Sequence, residues 1–276
     1  STGQYLDVAG DGSFNNVGHA LRADGVIERF NNTGVLRDSS SAQGSKVYTA
    51  IATRGFGSGS SSLVYAIHSG GVDWLQLSPG NITANPIITG STVTYTDIAS
   101  DRFNNFEHLL ARADGGVDVM EEANGVVNAQ DLANETFTAL ASFPTFSRTF
   151  YAATQDRVLE LSVDGSTNDV TITRVYLDNL TEPYVGLAGD PVSNRVLYGL
   201  KADGSVDRIL EGNDPLAADG SASQIIAPGS DFSNIGEFAG DGGFGNIFYA
   251  SVPEPGSLGL LVIGSGLMFA RPGRKA

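Results

Sequence analysis

A short pattern recurs six times in this chain: an aromatic or apolar residue, two free positions, an apolar residue and then Ala. The copies are Tyr5-Leu-Asp-Val-Ala9, Tyr48-Thr-Ala-Ile-Ala52, Tyr95-Thr-Asp-Ile-Ala99, Phe137-Thr-Ala-Leu-Ala141, Tyr184-Val-Gly-Leu-Ala188 and Ile235-Gly-Glu-Phe-Ala239. They stand 43, 47, 42, 47 and 51 residues apart. A second pattern follows five of them: His19-Ala-Leu-Arg-Ala-Asp-Gly25, Tyr65-Ala-Ile-His-Ser-Gly-Gly71, Leu109-Leu-Ala-Arg-Ala-Asp-Gly115, Tyr151-Ala-Ala-Thr-Gln-Asp-Arg157 and Tyr198-Gly-Leu-Lys-Ala-Asp-Gly204. The distance from the Ala to the turn Asp is 15 residues in four copies; the second needs 18, through the Gly/Ser-rich stretch from Gly55 to Ser62. A register held this well means one structural unit repeated along the chain.

Each unit reads as strands. Asp-Gly between two apolar runs signals a hairpin, both residues tolerating positive φ. Behind the turns come Val26-Ile-Glu-Arg-Phe30, Val72-Asp-Trp-Leu-Gln-Leu77, Val117-Asp-Val-Met120, Val158-Leu-Glu-Leu161 and Val206-Asp-Arg-Ile-Leu210, with a period near two. A fourth, weaker strand is expected near Ile87 and Ile88 and over Val170-Thr-Ile172. Three to four short strands per repeat is the blade pattern of an all-β propeller, with a β-sandwich or β-solenoid as the other arrangements of such strands. The small Ala suits an innermost strand crowded about a central channel. Fifteen residues beyond Ala239 stands Glu254, between two prolines, where the Asp-Gly turn should be. The chain thus holds six inner strand pairs and five outer ones. Six blades are expected, with five as the runner-up.

Composition removes several function classes. Sixteen Lys and Arg against 31 Asp and Glu leave a net charge of −15, which repels phosphate backbones and excludes nucleic acid as a main partner. The chain has no Cys, hence no disulfide, thiolate nucleophile or Cys-ligated metal. Three His residues (His19, His68 and His108) leave little for triad or imidazole-metal chemistry.

The opening Ser1-Thr-Gly-Gln-Tyr-Leu-Asp7 has neither the basic stretch nor the apolar run of a secretory leader, and reads as a mature or trimmed start. The other end is more telling. Val252-Pro253-Glu254-Pro255 precedes an uncharged stretch that carries Leu258, Leu260, Leu261, Val262, Ile263, Leu267, Met268 and Phe269, followed by Arg271, Arg274 and Lys275. Residues 256–270 would reach about 22 Å as a helix, shorter than a bilayer usually asks for. A buried helix or strand is the alternative reading of this segment.

Pro253-Glu254-Pro255, a short Gly/Leu-rich apolar segment and a basic end, in that order, resemble a PEP-CTERM sorting signal over about 25 residues. The resemblance implies export in a Gram-negative bacterium that makes extracellular polysaccharide, and handling by an exosortase. It divides the chain into a repeat domain (1–252) and a sorting or anchor tail (253–276), with the membrane reached only through the tail. At the level of single blades, the Tyr-Ala-x-x-x-Asp-Gly hairpins also resemble tachylectin-like, sugar-binding propellers.

Candidate chemistry is sparse. Asp11, Asp101, Asp190 and Asp241 follow the Ala of their repeats among Asn residues and offer oxygen ligands for Ca²⁺. Asx-turns capping the loops account for the same residues, and no cofactor is otherwise expected. Arg22, His68, Arg112 and Lys201 share one repeat position, two before the turn Asp or its equivalent. They could ring one face and meet an acidic polysaccharide, or pair with neighbouring carboxylates. Trp74, Tyr65, Tyr151, Tyr198 and Tyr249 could stack on sugars, or pack between blades. No nucleophile elbow, phosphate loop or distinct carboxylate pair marks catalysis, so no enzyme is expected. The expectation is a structural or binding propeller of the cell surface or matrix. Its alternatives are a filament subunit joined through its tail and a glycan-binding lectin.

Overall fold

The computed structural model describes residues 5–11, 17–31, 36–40, 46–53, 63–101, 107–132, 135–142, 148–190, 196–215, 217–227, 238–240, 248–250 and 261–263, the last nine of these by backbone alone. Five four-stranded antiparallel sheets follow one another along the chain. Blade 1 comprises β1 (Tyr5–Asp11), β2 (Val17–Arg22), β3 (Ile27–Asn31) and β4 (Leu36–Ser40). Blade 2 comprises β5 (Tyr48–Thr53), β6 (Leu63–His68), β7 (Gly71–Ser78) and β8 (Asn81–Thr89). In blade 3 are β9 (Tyr95–Ser100), β10 (Glu107–Arg112), β11 (Val117–Glu121) and β12 (Gly125–Gln130). Blade 4 holds β13 (Phe137–Ser142), β14 (Thr149–Thr154), β15 (Val158–Val163) and β16 (Val170–Leu177). Blade 5 holds β17 (Tyr184–Gly189), β18 (Val196–Lys201), β19 (Val206–Leu210) and β20 (Ser221–Ile226). The first strands of consecutive blades lie side by side, β1 on β5, β5 on β9, β9 on β13 and β13 on β17. This is a five-bladed β-propeller.

The expectation of six blades is therefore corrected to five. The sixth repeat gives a three-stranded sheet, β21 (Phe238–Gly240), β22 (Phe248–Ala250) and β23 (Leu261–Ile263), of three residues each. Its β21 lies between β17 and β1. The reason is in the chain: where the other repeats turn directly into a third strand, this one carries Pro253 and Pro255, which donate no N–H to a ladder, and its third strand comes only at Leu261–Ile263.

Burial falls from the inside of each blade outward, and the residue types follow it. The second strands are apolar almost throughout and buried on both faces, as in Val64 to Ile67 and Leu109 to Ala111. The fourth strands expected around Ile87, Ile88 and Val170 are present as β8 and β16, and they mix buried with exposed positions. One packed face and one wet face give the weak pattern seen in their sequence. The core is divided into slabs between neighbouring blades. Ile27, Tyr48, Ile51 and Leu75 fill the slab between blades 1 and 2, and Ile67, Val72, Tyr95 and Met120 the next. Leu109, Val119, Phe150 and Leu161 lie between blades 3 and 4, and Tyr151, Tyr176, Tyr184 and Leu197 between blades 4 and 5.

The hairpins expected at the Asp-Gly pairs are present, with the positive φ taken by glycine alone. Of the Asp-Gly pairs 24–25, 114–115 and 203–204, only Gly25, Gly115 and Gly204 have positive φ (81°, 97° and 83°). The Gly25 N–H donates to the Arg22 carbonyl (2.9 Å), and the Arg22 N–H to the Val26 carbonyl (2.8 Å). That is a type I turn closed by a glycine bulge, in which the aspartate keeps an ordinary conformation. Its side chain caps instead: Asp203 Oδ1 accepts from the Ser205 N–H (2.8 Å).

Candidate functional site

The aromatic residue that opens each first strand is followed by a register slip in all five blades. Tyr5 lies opposite Arg22 and Asp7 opposite Leu21, leaving Leu6 as an extra residue. Thr49, Thr96, Thr138 and Val185 are the extra residues of the other blades. Such a bulge re-aims the neighbouring side chain. Here it sends the phenol past the second strand to an acid on the third.

Tyr48 donates to Asp73 (2.8 Å), Tyr95 to Asp118 (2.7 Å) and Tyr184 to Asp207 (2.7 Å), while Tyr5 donates to Glu28. The acids lie 23 residues beyond their tyrosines, or 25 in blade 2. A cation closes each pair. Arg22 Nη1 lies 2.9 Å from Glu28, Lys201 Nζ 2.9 Å from Asp207 and Arg112 Nη1 3.4 Å from Asp118. Asp73 receives Lys46 Nζ at 2.7 Å, with His68 Nε2 3.4 Å away. Burial first, and then the hydrogen bond to the acid, raise the pKa of Tyr48, Tyr95 and Tyr184, so these phenols stay protonated donors. In blade 5 the ring leaves no room beneath it: a Cβ on Gly199 would come within 2.5 Å of Tyr184.

Blade 4 departs from the rule at all three positions. Phe137 replaces the tyrosine, Thr154 the cation and Leu159 the acid. Leu159 lies opposite Ala152 as Asp118 lies opposite Leu110 and Asp73 opposite Ala66. Phe137 and Leu159 are both buried in one apolar slab.

The four basic residues singled out from the sequence thus all sit at the turns between second and third strands, which the topology gathers on one face of the ring. There they are engaged by carboxylates. Arg112 also reaches Asp114 (2.9 Å) and Asp131 (2.7 Å), and Arg22 reaches Asp24 (2.5 Å). The Arg112 side chain is 14% exposed, against 66% for Asp114 and 74% for Asp131. At this turn the outermost charge is negative.

Of the candidate calcium ligands, Asp101 is buried and accepts from the Arg148 N–H (3.0 Å), and Asp190 accepts from the Tyr198 hydroxyl (3.2 Å). The side chain of Asp11 and all of Asp241 lie outside the described residues. Among the described residues no three His, Asp or Glu side chains are grouped to hold a metal ion. Tyr65 and Tyr151 are fully buried between blades, and Tyr198 is buried in blade 5. Trp74 packs half-buried against the slab between blades 2 and 3. The side chain of Tyr249 lies outside the description, as do Pro253, Glu254, Pro255, Leu258, Leu260, Leu267, Met268, Phe269, Arg271, Arg274 and Lys275. For Leu261, Val262 and Ile263 the backbone pairs with β22. No helix among the described residues is long and apolar enough to cross a membrane.

Sequence reasoning named both halves of the tyrosine–acid pair without joining them. Their fixed separation, and the joint loss of tyrosine, cation and acid in the fourth repeat, are the signals that would have done so.

A second set of carboxylates faces inward. Asp7 on β1 accepts from its neighbour's N–H at Val8 (2.6 Å) and from Ile51 of blade 2 (2.5 Å). Asp97 on β9 does the same with Ile98 (2.7 Å) and with Leu140 of blade 4 (2.5 Å). Each ties one innermost strand to the next. Ala50, Ala139 and Gly186 hold this position in the other blades.

No protein-family model matches the chain, and neither does any curated protein. Among solved structures it is similar to the Cps50 (Swd1) β-propeller domain of Myceliophteria thermophila, with a TM-score of 0.64 and 8% identity over 89% of this chain and 79% of that one. It is also similar to Raptor of Chaetomium thermophilum, with a TM-score of 0.58 and 10% identity over 91% of this chain. The match spans 27% of the length of Raptor. At such identities the likeness carries the fold alone: the chain is a β-propeller.

Proposed function

We propose that this chain is an exported, non-enzymatic propeller of the cell surface or extracellular matrix of a Gram-negative bacterium, delivered by its C-terminal tail and associated with exopolysaccharide. The observation that carries the reading is the order Pro253-Glu254-Pro255, apolar segment, basic end. The body is consistent with a scaffold, since the charged residues repeated from blade to blade hold strands together. The test is fractionation of a polysaccharide-producing Gram-negative host, with and without its exosortase, expressing the chain or its Pro253→Ala/Glu254→Ala/Pro255→Ala form. Release of the unaltered chain that depends on both exosortase and motif is expected. The same distribution in every case overturns the reading.

A second reading, a self-assembling filament subunit, is favoured by the pairing of Leu261–Ile263 with β22. A tail that supplies a strand to its own sheet can supply it to the next copy. That head-to-tail contact does not close, and so grows fibres. Electron microscopy of the full chain beside a 1–252 truncation decides it. Filaments from the full chain alone support the reading, and filaments from both or neither overturn it.

A further inference from the structure

The outermost strand of a blade presents a row of N–H and C=O groups that a further strand could pair, and four of the five blades guard theirs. β4 contains Arg37 and Asp38, and its Ser39 carbonyl accepts from the Gly80 N–H of blade 2 (3.0 Å). β8 contains Pro86, which has no N–H to offer. Blade 4 takes up the side chains of β12: Asn128 donates to the Asn168 carbonyl (2.9 Å), and Gln130 accepts from the Val170 N–H (2.6 Å). On β16 the Val175 N–H donates to the Pro215 carbonyl of blade 5 (2.8 Å), and Arg174 meets Glu211 (2.8 Å). β20 has none of these devices. Ser221-Ala-Ser-Gln-Ile-Ile226 carries neither charge nor proline, and Ser221 to Ile225 are exposed. Among the described residues no element beyond β19 bonds to it. Its neighbour in the ring is the stunted sixth sheet, whose strands have three residues each. At the head of β20 the loop folds around Asp219, which accepts from the Asn213 N–H (2.9 Å), and both Asp214 and Asp219 are exposed.

We propose, on the reading of the chain as a self-assembling subunit, that β20 is the acceptor edge for the C-terminal segment of a second copy. Leu267-Met-Phe-Ala270 adds to it as a fifth, antiparallel strand, backbone to backbone. That direction carries the Arg271, Arg274 and Lys275 that follow to the end of β20 where Asp214 and Asp219 stand. Setting Arg271 beside Ser221 places Phe269 opposite Ser223 and Leu267 opposite Ile225, which is 41% exposed. The charges single out this segment: no acid follows Glu254, whereas the chain as a whole, at −15, repels its own copies. In its own chain Ile263 is held on β22. Only Gly264-Ser265-Gly266 separate it from Leu267, at most about 11 Å of chain in which to turn back along blade 5. A second copy presents its tail without that tether.

The chain has no Cys, so introduced thiols can pair only with one another. Tagged, full-length Ser223→Cys is mixed with full-length Phe269→Cys and oxidised in air. The reference is the same mixture with Ser69→Cys, exposed in the blade 2 turn, in place of Ser223→Cys. A disulfide needs Cα atoms within about 7 Å, so the Ser223 mixture should yield at least about fivefold more mixed dimer than the reference. Equal yields overturn the proposal. So does a Ser223→Cys/Phe269→Cys chain that links within itself while the mixture of single variants does not link. Electron microscopy of the unaltered chain separates the acceptor from the assembly. Filaments without the Ser223–Phe269 link leave self-assembly standing and remove β20 as its acceptor, whereas the link without filaments keeps the acceptor and removes the filament.

Discussion

In blade 3 the phenol of Tyr95 reaches Asp118 across the sheet, and Arg112 closes over the carboxylate. In blade 4 the same three positions hold Phe137, Leu159 and Thr154. Both blades keep the strand order, the register slip after the aromatic residue and a buried ring. The aromatic body, aimed by the bulge, is thus what the fold requires, while the polar lock is one of two ways to finish the site. A buried ion pair gains attraction and loses hydration in nearly equal measure, so an apolar set of similar volume can replace it. What it does not tolerate is being half removed. The locked blades therefore have a vulnerability that blade 4 lacks.

The largest effect is expected from breaking one lock by halves. Asp73→Leu in blade 2 takes the acid from the buried Tyr48 hydroxyl and from His68 at once, while the half-exposed Lys46 turns to water, and should cost at least about 3 kcal/mol in urea unfolding. A loss below about 1 kcal/mol would show that locked and apolar blades are alike in their tolerance. A smaller change is expected when blade 3 is converted wholesale. Tyr95→Phe, Arg112→Thr and Asp118→Leu together should stay within about 1–2 kcal/mol of the unaltered chain, although Asp118→Leu alone costs about 3. If the triple variant loses as much as the single one, the two solutions are not interchangeable. Smallest of all is Asp114→Asn. Its exposed contact with Arg112 should be worth less than about 0.5 kcal/mol by thermal unfolding, which would separate the outer, wet ion pairs from the buried locks.

Much of this architecture was legible in the chain. The Tyr5-to-Ala9 pattern and its relatives mark the innermost strands because those strands are crowded, and the apolar runs around Val64 and Leu109 mark second strands buried on both faces. The number of blades was not legible, because a sixth copy of the inner pattern at Ile235 says nothing of whether outer strands follow to complete a sheet. The locks were also missed. Val72-Asp73, Val117-Asp118 and Val206-Asp207 read as alternating strand sequence, and periodicity does not report a hydrogen bond that skips a strand. Neither does it report the slipped residue, Thr49 or Thr96, that turns the ring toward its acid. The basic residues Arg22, His68, Arg112 and Lys201 were recognised as a set, but their partners come from turns and strands whose proximity only the fold supplies.

The partition of the core into slabs between blades also governs how the chain acquires its structure. Each slab draws its side chains from two consecutive sheets, so a single repeat leaving the ribosome has nowhere to bury either face. The smallest unit able to gain stability is a pair of neighbours, after which every new repeat contributes one interface of similar kind, as in a linear array. The seam where β21 meets β1 is the exception, because it joins the last-made repeat to the first. It forms only once Phe238–Gly240 has been made, and its assembly, unlike that of the junctions between consecutive blades, waits for loop closure from β1 to β21.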